Sequence, residues 1–187
     1  MTRKIHDTDY LFLTTRVRAL EGCLLNRGQM EQMLEAGSPE EAARILTDCG
    51  YPELETVSAI TVGEMLNRER ERLFQDLAEL VPDPAILAVF QLPHDYHNVK
   101  VLLKSEAMGI QEDRLLVDAG RIPSKQLVAA LRSGEVQNLP PQLGEAIDEA
   151  RQVLSATRDP QLGDMVLDRR YFQELLVLAE ETGSLFL

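Results

Sequence analysis

The chain is punctuated at short intervals by helix starts and stops, and this restricts its fold more than any other feature. In SPEE, Ser38 can cap a helix, Pro39 suits the first helical position, and Glu41 can reach back to close a capping box. Apolar residues then recur three and four apart, the spacing that places them on one helix face. The same pattern predicts a helix carrying Tyr10, Leu13, Val17, Leu20 and Leu24, with Thr8 or Asp9 as cap and Gly28 as its end or a turn. It predicts another opened by Thr61 and Glu64 and running through Leu80. Pro82 and Pro84 break that helix, 85–92 reads as a short apolar one, and Pro93 introduces a new one over 94–109. Ser124 is the expected cap of a further helix, Pro140-Pro141 starts the next, and a last one ends at Thr182-Gly183. Only LETVSAI (54–60) tolerates a strand, and no alternating pattern supports it. The expectation is an all-α fold, an irregular array of medium-length helices.

Composition narrows the function classes. Acidic residues outnumber basic ones 31 to 19, a formal charge of -12, and aromatics make up 5% with no Trp. Such a surface repels phosphate backbones and anionic headgroups, and it offers few rings for base stacking, so nucleic acid is not an expected partner. Cys23 and Cys49 lack CxxC partners, which fits a reducing, cytosolic setting. No apolar run approaches the roughly 20 residues of a membrane-spanning helix.

The stretch HDYHNVKVLLKSEAMG (94–109) mixes polar and apolar chemistry most closely. His94 and His97 are three apart and could share a helix face as metal ligands, with Asp95 and the distant His6 as further donors. No HExxH or second ligand pair accompanies them, so non-ligating histidines are the simpler reading. A metal-dependent enzyme using His94, Asp95 and His97 stays as an alternative. Val99, Leu102 and Leu103 form the apolar stripe, and Asp95 and Asn98 fall on or beside it. Buried carboxylates and amides must find partners. Asp95 is expected to favour the positive end of a helix starting here, and Asn98 to bind neighbouring backbone; a clamp between helices, or a rim for a partner, is the other reading. Asp164 and Asp168 precede Arg169 and Arg170, a pattern that fits an ion-pair network better than acid-base catalysis. No GxSxG, phosphate loop, GxGxxG or Cys/His nucleophile pair is present.

Several ordered pieces together resemble the C subunit of the V-type and A-type rotary ATPases, known as the d subunit in eukaryotes. They are Tyr10 with RVRALEGCLL (16–25), LTDCGY (46–51), HDYHNVKVLLKSEAMG, VDAGRIPSKQLVAAL (117–131) and LDRRYFQELL (167–176). The resemblance implies an all-α, funnel-shaped protein of three pseudo-equivalent helical domains. It implies a non-catalytic role without cofactor, metal or nucleotide, on the cytoplasmic face of a membrane. The implied partners are the rotor-shaft subunits and the membrane rotor ring, during proton or sodium transport. On this reading 1–115 is a first helical unit and 116–187 part of a second, as in a fragment or truncated copy, and the apolar tail GSLFL would prefer a partner. Arg16, Arg18, Asp95, His97, Asn98, Lys100, Asp168 and Arg169 are the candidate interface or interhelix contacts. An unrelated all-α scaffold for other proteins is the alternative.

Overall fold

The computed structural model describes residues 6–110 and 112–184, and among these it contains α-helices and short 3-10 turns but no strand. The apolar tail Leu185, Phe186 and Leu187 lies outside the described residues. The chain divides into two compact units, Met1–Pro82 and Asp83–Leu187.

In the first unit, a 3-10 turn (Asp7–Tyr10) leads into α1 (Leu11–Glu21), followed by α2 (Arg27–Glu35), α3 (Pro39–Asp48) and α4 (Ala59–Leu80). Helix α1 ends before Leu24, and Gly28 lies inside α2, where the sequence suggests only a helix end or a turn. Asn26 hides this start: its side chain caps the Gln29 amide while Gln29 returns the bond to the Asn26 amide. Ser38 caps α3 as expected, accepting from the Glu41 amide at 3.2 Å. The Glu41 carboxylate takes the Gly37 amide instead of closing the box on Ser38. For α4 the cap is Ser58, three residues before Thr61, because the two side chains and amides satisfy one another reciprocally. Segment 51–58 has no regular structure. Leu46 and Met65 are the buried hydrophobics of this unit among the described residues.

The second unit holds a larger core. Helix α5 spans Pro84–Met108 without interruption, so the expected break at Pro93 does not occur. Proline cannot donate to the Val89 carbonyl, but packing on both sides of it outweighs that loss: Leu92 and Val99 are completely buried. After a 3-10 turn (Asp113–Leu115) comes α6 (Ser124–Ser133), another 3-10 turn (Val136–Asn138), α7 (Pro141–Thr157) and α8 (Pro160–Thr182). Pro123, not Ser124, occupies the cap position of α6, and the Asp118 carboxylate takes the free Ser124 amide at 2.6 Å. Helices α5 and α7 both pack on α8. Leu127 and Leu131 from α6, Leu143 and Ile147 from α7, and Leu167 from α8 meet the α5 stripe in one cluster. Each such side chain contributes about 1.5–3 kcal/mol when fully buried. Gly163 lets α8 approach α7: a methyl group there would lie 2.9 Å from the Leu154 side chain. The chain passes from one compact unit to the other at 82/83. The repeat boundary expected from the sequence, 115/116, lies between α5 and helices packed upon it.

Candidate functional site

One edge of α5 carries Gln91, Asp95 and Asn98, spaced four and three apart, and the irregular segment after α5 runs back along it. The Gln91 amide donates to the Gly120 carbonyl at 3.3 Å. Asp95 accepts from the Ile122 amide at 3.2 Å and from Arg121 Nε at 2.7 Å. Asn98 donates to the Val117 carbonyl at 2.8 Å and accepts from the Val117 amide at 2.9 Å. On the more exposed flank of the same helix, a ring nitrogen of His97 bonds the Leu115 carbonyl at 3.0 Å. A segment with little backbone pairing of its own thus takes its hydrogen bonds from the side chains of one helix. Gly120 permits the close approach: any Cβ there would lie 2.2 Å from Asp95 Oδ1.

Arg121 extends this arrangement to α8. Its Nη2 lies 2.8 Å from Glu174 Oε1, an ion-pair contact without hydrogen-bond alignment, and the Tyr96 hydroxyl donates to Glu174 Oε2 at 2.9 Å. Tyr171 meets Tyr96 edge to face at 5.6 Å. Asp95 and Glu174 are both buried, so two carboxylates share one guanidinium inside the core. Burial holds the Asp95 carboxyl above its usual range, and the Arg121 hydrogen bond opposes this. Burial also works against the charge of Arg121, but the two carboxylates outweigh it and hold its pKa above the ordinary value. The Tyr96 phenol is pushed up, first by burial and then by Glu174. Such a cluster gives register more readily than net stability, because desolvation cancels much of the attraction.

Outside the core, ion pairs fasten α5 and α7 to α8. Lys100 meets Asp168 and Lys104 meets Asp164 at 2.6 Å. Arg169 and Arg170 both reach Glu149, and Arg170 also reaches Glu145 at 3.3 Å. The Arg170 hydrogen bond holds the Glu149 carboxyl below its ordinary range. In the first unit, Arg16 lies 3.6 Å from Asp76 of α4, while Arg18 pairs with Glu21 of its own helix on the exposed surface.

The residues singled out from the sequence therefore divide into groups. Asp95, His97 and Asn98 are brought together on the segment they hold. Lys100, Asp168 and Arg169 join helices at the rim, and Arg16 and Arg18 belong to the other unit. Because Pro93 lies inside α5, Asp95 stands in mid-helix and has no helix N-terminus to favour; its partner is Arg121. Gln91, Tyr96, Arg121 and Glu174 were missed as site residues, although the four-three spacing of Gln91, Asp95 and Asn98 carried a signal. His6 sits at the 3-10 turn of the first unit, its amide donating to Asp9. Among the described residues no three His, Cys, Asp or Glu side chains converge as metal ligands would.

The sequence profile described as ATP synthase (C/AC39) subunit matches residues 13–186. The chain belongs to that family. It is 28% identical over 176 residues to the C subunit of the V-type sodium ATPase of Enterococcus hirae, covering 94% of this chain and 54% of that protein. It is 26% identical over 129 residues to the C subunit of the A-type ATP synthase of Methanocaldococcus jannaschii, covering 63% of this chain and 32% of that protein. The chain thus spans about half the length of the first relative. Its all-helical architecture agrees with the family, and no helix among the described residues is long and apolar enough to cross a membrane.

Proposed function

We propose that the chain serves, whole or as a portion of a longer protein, as a non-catalytic coupling element in the central stalk of a V/A-type rotary ATPase. It would link the rotor shaft of the soluble head to the membrane rotor ring during ATP-coupled proton or sodium transport, at the cytoplasmic face. The observation that carries this reading is the family match across residues 13–186. The second unit suits a torque-bearing part: apolar packing joins α5, α7 and α8, and the Asp95–Arg121–Glu174 cluster ties α5 to α8. On the same reading, 1–115 and 116–187 correspond to a first repeat and part of a second. Arg16 and Arg18 of α1 and His97 of α5 are then candidates for partner contacts, with Asp95 and Asn98 holding the elements that present them.

The test is reconstitution. Tagged chain is mixed with purified shaft subunits and, separately, with detergent-solubilised rotor ring from a host that encodes it. Retention of at least one of the two is the expected result, with no ATP hydrolysis by the chain alone. Failure to retain either partner removes the coupling role.

A further inference from the structure

We draw no further inference here: the strongest candidate, the exposed apolar seam of α8 along Leu162, Met165, Phe172 and Leu176, carries none, because nothing in the structure shows what covers it and Glu149 already meets the charge of Arg169 beside it.

Discussion

An amide on a buried helix face is tolerable only where it recovers the hydrogen bonds it gives up to water, and Asn98 recovers them from the amide and carbonyl of one residue. Replacing it with Leu keeps the volume but leaves the Val117 amide and carbonyl without partners. Each such group costs about 1–3 kcal/mol, so Asn98→Leu should destabilise the second unit by about 2–4 kcal/mol, read as a lower urea midpoint at unchanged slope. The two perturbed carboxylates act in opposite senses with pH. Glu149 ionises more readily when folded, so its contribution is present above pH 4.5, its unfolded value, and is lost as pH falls through the lower folded value. Asp95 is protonated more readily when folded, so its contribution grows as pH falls from the raised folded value towards 3.8. Unfolding midpoints measured across acid pH should therefore fall less steeply for Glu149→Gln than for the parent chain, and more steeply for Asp95→Asn. The need of Asp95 and Asn98 for partners was legible from their place on an apolar stripe. Arg121 and Glu174 were not: they lie 26 and 79 residues away in sequence from Asp95, and only the fold brings them to it.

At the scale of elements, local rules succeeded where they were uncontested. Ser38-Pro39 starts α3, and Pro141 stands at the first position of α7. They failed at Pro93, where a residue that ends isolated helices is carried inside α5 by burial on either side. The missing hydrogen bond and the crowding of the Val89 carbonyl remain as a local cost, and the Pro93 side is exposed. Pro93→Ala should accordingly raise the stability of the second unit by about 1–3 kcal/mol, visible as a higher melting temperature. Unchanged stability would mean that the Val89 carbonyl has found another donor. Thr61 was misread for a related reason: Ser58 and Thr61 are both capping residues, and their reciprocal bonds, not the local sequence, decide which is outermost.

At the scale of the whole molecule, the two units differ in how much apolar surface they bury. The second places Leu92, Val99, Leu127, Leu143, Ile147 and Leu167 in one core, while the first buries only Leu46 and Met65 among the hydrophobics of its described residues. With about 1.5–3 kcal/mol per fully buried side chain set against chain entropy of similar total size, only the second has an evident surplus. Residues 83–187 expressed alone should unfold cooperatively in urea, whereas 1–82 alone should show a weak or absent transition. The all-α class was legible throughout the chain, because helix periodicity is local. The compact boundary at 82/83 was not, because it depends on which helices α5 packs against.

The bonds between α5 and the segment behind it also set a clock. The Val117 and Ile122 amides lie in a stretch without regular structure, yet each is held by a carboxylate or amide oxygen projecting from a long, buried helix. Their protons can be traded for deuterium only when that helix edge releases them, so they should persist as long as those within α5 itself, while the Asp113 and Arg114 amides nearby are replaced early.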